Sequence, residues 1–155
     1  MATSRERWTV ARLAAIAGLP SKVGYEARDR NVLHPTVLSP SDVLPLLTFE
    51  ALRRISWPGE NYARNTPQRL RLWEHLAIEH SRVGDLADVD PMTGLYVHPS
   101  GADLAVRPSE HAALALRFVE ENTPYQYLTL GAWAQQALRA LAAEQEQVGR
   151  RHGAA

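Results

Sequence analysis

Six side chains within ten residues form the densest chemical cluster of the sequence: Ser21, Lys22, Tyr25, Glu26, Arg28 and Arg30. They supply hydroxyl and cationic donors, one carboxylate acceptor and one ring, a set suited to hydrogen bonding and ion pairing rather than to making covalent bonds. Glu74, His75, Glu79 and His80 invite a metal reading. However, the two histidines are five apart, about 140° around a helix, and cannot share one ion as an i, i+4 pair does. Asp85, Asp88, Asp90 and Asp103 lack the loop spacing and the glycine of an EF-hand calcium site, and read as solvated loop acids. There is no cysteine, hence no disulfide or thiolate metal site. No nucleophile–base pair and no phosphate loop occurs at usable spacing, so the sequence points away from an enzyme and names no cofactor.

The elements that must position the first cluster lie between Trp8 and Leu33. Thr9 caps a helix with Val10, Leu13, Ala14 and Ala17 at helical spacing, and Gly18 stands where a helix end needs positive φ. Leu19 fills the space between two helices. Ser21 is expected to cap the second, which runs to about Arg30 and ends on Asn31. Burying Val23 and Ala27 turns Ser21, Lys22, Tyr25, Glu26 and Asp29 outward, a polar face of the kind that enters a DNA major groove. The competing interpretation is a plain helical hairpin.

Beyond Asn31, the segment Thr36-Val37-Leu38 is expected to be extended, and Ser39-Pro40-Ser41-Asp42 to start a third helix. With Thr9-Val10, Leu13-Ala14, Ala17-Gly18-Leu19, Val32-Leu33-His34-Pro35 and Ser39-Pro40-Ser41-Asp42-Val43, the first third of the chain resembles the winged helix-turn-helix of MerR-type regulators and phage excisionases. The family's basic-aromatic recognition run is reduced here to Tyr25-Glu26, Asn31 stands for glycine, and the wing has almost no length. The resemblance implies double-stranded DNA binding, with Lys22, Tyr25 and Glu26 at base edges and Ser21, Arg12, Arg28 and Arg30 at phosphates. Arg5 and Arg7 would extend this contact as a basic arm, or else belong to a frayed terminus.

Composition is that of an ordinary globular protein: 155 residues, 45% apolar and 22% charged. No apolar run is long enough to span a bilayer and the N-terminus lacks a signal-peptide core, from which a cytoplasmic protein with no membrane partner is expected. The net charge is zero, yet residues 1–84 carry an excess of four cations and residues 85–155 an equal acidic excess, so the basic charge lies with the DNA-reading part. Lys22 is the only lysine among the cations.

In the third helix Pro45 is expected to end a short turn near Leu44, with a fresh helix from Thr48. Ser56 to Asn65 is a polar break, placing a boundary between a DNA-binding domain at 1–56 and a second domain at 57–155. Thr66-Pro67 starts the next helix, continuing through Leu70, Trp73, Leu76 and Ala77. Leu95 to His98 and Asp103 to Arg107 alternate as a β-hairpin, Pro108 opens a helix to about Asn122, and Thr123 to Tyr127 breaks it. The final helix runs from about Thr129 toward Arg150, with a stripe too short for a coiled coil, which favours monomer over homodimer. The expected fold is mainly α with a small hairpin.

Trp57-Pro58, Gln68-Arg69-Leu70-Arg71, Asp90-Pro91, Tyr96-Val97 and Asp103-Leu104-x-Val106-Arg107-x-x-Glu110-His111 resemble the C-terminal region of immunity repressors of actinobacterial temperate phages. That resemblance implies a repressor binding asymmetric sites as a monomer, its second part also touching DNA through Arg64, Arg69 and Arg71. The rival expectations are an excisionase-like DNA-bending factor and an antitoxin or adaptor whose acidic part binds a protein.

Overall fold

The computed structural model describes residues 7–60 and 70–153. Arg5, Arg64, Arg69 and the Thr66-Pro67 start lie outside the described residues. Thr9 accepts the amide hydrogen of Arg12 at 3.1 Å and opens α1 (Val10–Ala17), which Gly18 closes in the left-handed conformation at φ 73°. Helix α2 (Ser21–Asp29) follows after three residues, Gly18 to Pro20, and Asn31 turns the chain out of it at φ 60°. Ser21 does not cap α2: Pro20, extended at φ −61° and ψ 145°, holds the cap position, and Ser21 is already the first helical residue. The ring of Pro20 fixes the entry angle, and this cap makes no side-chain hydrogen bond. Val23, Gly24 and Ala27 are buried. A Cβ on Gly24 would sit 2.7 Å from Val10 Cγ1, so glycine is what lets the two backbones approach this closely.

No strand forms at 36–38, contrary to the extended wing expected there. The loop curls instead around His34, whose Nδ1 accepts the Thr36 and Val37 amides at 3.3 and 3.1 Å. Asp42 anchors the same loop: its buried carboxylate accepts the His34 and Ser39 amides at 3.1 and 3.0 Å and lies 3.7 Å from Arg82. A 3-10 turn at Pro40–Asp42 leads directly into α3 (Val43–Leu52). Pro45 does not interrupt α3, because it falls in the first turn, where a backbone N–H has no intrahelical partner to lose.

Helix α4 (Leu72–His80) begins later than expected, since Leu70 and Arg71 precede it. Arg71 is extended, and Glu74 accepts its amide at 3.0 Å, setting the start of the helix there. Beyond a 3-10 turn at Leu86–Asp88, β1 (Gly94–His98) and β2 (Gly101–Ala105) form the expected hairpin, with His98 opposite Gly101. Helix α5 (Pro108–Glu120) is followed by a strand that was expected only as a break, β3 (Gln126–Leu128). It pairs antiparallel with β1, giving the order β2-β1-β3. Tyr127 lays its ring where a Gly94 side chain would be, 2.2 Å from an added Cβ, an aromatic–glycine pair packed across β1 and β3. Helix α6 (Leu130–Gly153) packs on α1, α3 and β1.

Six helices and one small sheet therefore make up the described residues. One buried apolar cluster includes Leu13, Leu44, Phe49, Trp73, Leu95 and Ala134, so it continues across the loop at 56/57. None of the described helices is long and apolar enough to cross a membrane.

Candidate functional site

Helix α2 rests on α1 and α3 and presents Ser21, Lys22, Tyr25, Arg28 and Asp29 to solvent. The periodicity that buries Val23 and Ala27 four apart leaves these positions outward. Tyr25 is 42% exposed, and the Arg28 guanidinium lies 5.0 Å from its ring centroid. Arg28 also reaches Asp29 at 3.4 Å, with both side chains well exposed, an ion pair that contributes little in water. Lys22 and Ser21 stand at the N-terminal end of this face and Arg7 is exposed before α1.

The other expected contact residues are placed differently. Glu26 is half-buried and its carboxylate lies 2.6 Å from Arg53, the residue that closes α3, which also reaches Glu50 at 3.2 Å. Arg30 is half-buried with its guanidinium 5.8 Å from the Phe49 ring. Arg12 lies 3.8 Å over Trp8 and meets Glu144 of α6 with both Nε and Nη2, the latter at 2.6 Å. Arg71 is engaged by Glu60 and Glu74, and its guanidinium covers Trp73 at 4.6 Å. Glu60 ties this group together by also accepting Trp73 Nε1–H at 2.7 Å. Thus Ser21, Lys22, Tyr25 and Arg28 are brought together on one open face, whereas Arg12 and Arg71 are spent on carboxylates inside the fold. His80 of α4 is bonded to its own helix, at the Leu76 carbonyl, 2.8 Å away.

A second polar group lies on the sheet. Tyr96 is buried and bonded to His111 Nδ1 at 2.8 Å, while His111 Nε2 reaches the Met92 carbonyl at 2.8 Å. The carbonyl only accepts, so Nε2 carries the proton and the Tyr96 hydroxyl donates to Nδ1. Burial, followed by the neighbouring Tyr127 and Tyr125, pushes the Tyr96 hydroxyl above its ordinary value. Asp103 receives His98 Nε2 at 2.9 Å and Arg117 Nη2 at 2.7 Å. Burial raises its carboxyl, but the two hydrogen bonds outweigh this and hold it below the usual carboxylate range. A folded-state value below the unfolded one stabilises the fold above the ordinary carboxylate range, and that contribution is lost as pH falls through the folded value. Asp103→Asn should therefore be less stable than the parent at neutral pH by about 1 kcal/mol or less, given partial exposure, and the gap should close on acidification below about pH 4. Urea titrations of both chains across that range check it. At α5, Glu110 accepts the Arg107 and Val106 amides at 2.8 and 3.1 Å, and these bonds hold its carboxyl below its ordinary value.

No protein-family model, curated protein or solved structure matches this chain.

Proposed function

We propose that the protein is a sequence-specific double-stranded DNA-binding regulator, with α1 and α2 forming a helix-turn-helix and α2 entering the major groove. One observation carries this: Ser21, Lys22, Tyr25 and Arg28 stand together on the open face of a helix seated on its neighbours by Val23, Gly24 and Ala27. Lys22 and Tyr25 are assigned to base edges, and Ser21, Arg28 and the arm residue Arg7 to phosphates. Glu26, held by Arg53, is assigned to orienting α2 against the end of α3. Arg12 and Arg71 serve as internal cations. The role of repressor of phage or mobile-element type rests on the two sequence resemblances. A monomer is favoured because α6, up to Glu144, is spent on the body of the same chain.

Selection of bound duplexes from a random pool, with the salt dependence of binding, tests this. One enriched asymmetric motif with salt-sensitive affinity supports a monomeric reader, and an inverted repeat replaces the monomer with a dimer. No enrichment and no salt-sensitive binding overturns the DNA assignment. On the best site, Lys22→Ala and Tyr25→Ala should each cost about 1–3 kcal/mol of specific binding with little change in non-specific affinity. Unchanged specific affinity would remove them from the base-reading set.

A protein-binding role has one observation in its favour. Helix α5 leaves Leu116 58% and Val119 75% exposed. If the chain is an adaptor, Leu116→Ser should abolish partner capture, whereas a DNA reader should tolerate it.

A further inference from the structure

Beside the C-terminal end of α2 lies a cavity of about 440 Å³, lined on its polar side by Arg28, Asn31 and His34 and on its apolar side by Val10, Leu33 and Leu38. That volume is in the range of small-molecule sites, and a few convergent polar groups on an apolar wall are what such sites require. Arg28, the Asn31 amide and the His34 ring bring donors to that side, and Thr36 adds a hydroxyl. His34 Nδ1 accepts two backbone amides, so the neutral ring carries its proton on Nε2, which has no partner among the described residues. The Asn31 side chain likewise makes no hydrogen bond among the described residues, and Arg28 has its exposed 3.4 Å pair with Asp29 and its contact with the Tyr25 ring. No carboxylate is part of the lining.

Under-used donors around an apolar floor, with no acid among them, select an anion that carries hydrocarbon. We propose that this cavity binds a small organic monoanion, a carboxylate on a body the size of one ring. Arg28, Asn31 and His34 Nε2–H meet the carboxylate, and Val10, Leu33 and Leu38 meet the ring. The site is built into the DNA-reading face, because the guanidinium that would hold the anion is the one lying over Tyr25. An occupant would draw Arg28 away from Tyr25 and from any phosphate. This regulatory consequence rests on the DNA-binding function proposed above, whereas the binding of the anion does not.

The test is a titration of the full chain, without DNA, with sodium benzoate and separately with its neutral counterpart benzyl alcohol, followed by amide proton–nitrogen shifts. Benzoate should move the Asn31, Leu33 and Val37 amides saturably, and should bind about tenfold or more tightly than benzyl alcohol, the margin expected of charge-assisted hydrogen bonds. Arg28→Gln, at an exposed position that leaves the core intact, should erase that margin. Leu38→Trp, which fills the cavity, should weaken both compounds. The proposal is overturned if benzoate gives no saturable shifts at these amides, if the two compounds bind equally, or if Arg28→Gln keeps the preference. Because no DNA is present, failure of the DNA assignment neither produces nor hides these shifts.

Discussion

Gly131→Ala is expected to destabilise the chain by about 3 kcal/mol, the upper end of what inserting one methyl into a packed interior costs. A Cβ at this position would lie 2.3 Å from the Pro91 carbonyl oxygen and 2.5 Å from that of Asp90. All the nearest atoms are backbone, so no side chain can swing aside to make room. The same residue donates its amide to the Thr93 carbonyl at 2.9 Å, so the methyl would also break a bond fastening the start of α6 to the approach of β1. For a chain of this size the loss corresponds to a fall of about 10 °C in melting temperature. Gly149→Ala is the control: nothing lies within 4 Å of the added Cβ, and replacing glycine inside a helix should leave stability equal or slightly raised. If thermal melts of the two variants coincide, the close seat of α6 on the 90–93 turn is wrong.

Asp42→Ala should cost a similar amount, about 3 kcal/mol, for a different reason. The carboxylate is 4% exposed and serves three clients: the His34 amide, the Ser39 amide and the Arg82 guanidinium. Alanine leaves two backbone donors without their acceptor and Arg82 with Glu79 as its remaining carboxylate, and unsatisfied buried groups cost more than the bonds themselves contribute. Asp42→Asn keeps one acceptor oxygen and should fall between parent and alanine. Urea denaturation gives the size of the effect. Hydrogen exchange locates it, with the His34 and Ser39 amides losing protection ahead of those in α4. An effect below about 1 kcal/mol for alanine would mean that water replaces the carboxylate and that the loop does not depend on it.

Features enforced within a few residues were legible in the sequence. Thr9, Gly18 and Asn31 act on backbone groups at most five positions away, and each does in the fold what its chemistry requires. The β1–β2 hairpin and α5 are legible for the same reason. Two local signals misled because a neighbour overrode them: Pro20 took the cap position that Ser21 suits, and Pro45 fell in a first turn where its missing donor is harmless. Strand β3 forms by pairing with β1, and the packing of Tyr127 over Gly94 is a dependence between residues far apart in the chain. Of the candidate site, the face made by Ser21, Lys22, Tyr25 and Arg28 follows from helical periodicity. The diversion of Arg12 to Glu144 and of Arg71 to Glu60 does not, since charge counting cannot tell a free arginine from one that a distant carboxylate has claimed.

The bond from Arg12 to Glu144 spans 132 positions, and α6 packs on both α1 and α3. On the ribosome, then, α1 and α3 emerge long before the helix that completes their packing. A nascent chain holds α1 and α3 without their outer wall, and folding must wait for a contact of very large sequence separation. The same geometry makes α6 a test of completeness. A chain cut by a protease or ended by a premature stop before Ala134 would lose the wall over α1, so such shortened products should be cleared as unfolded protein.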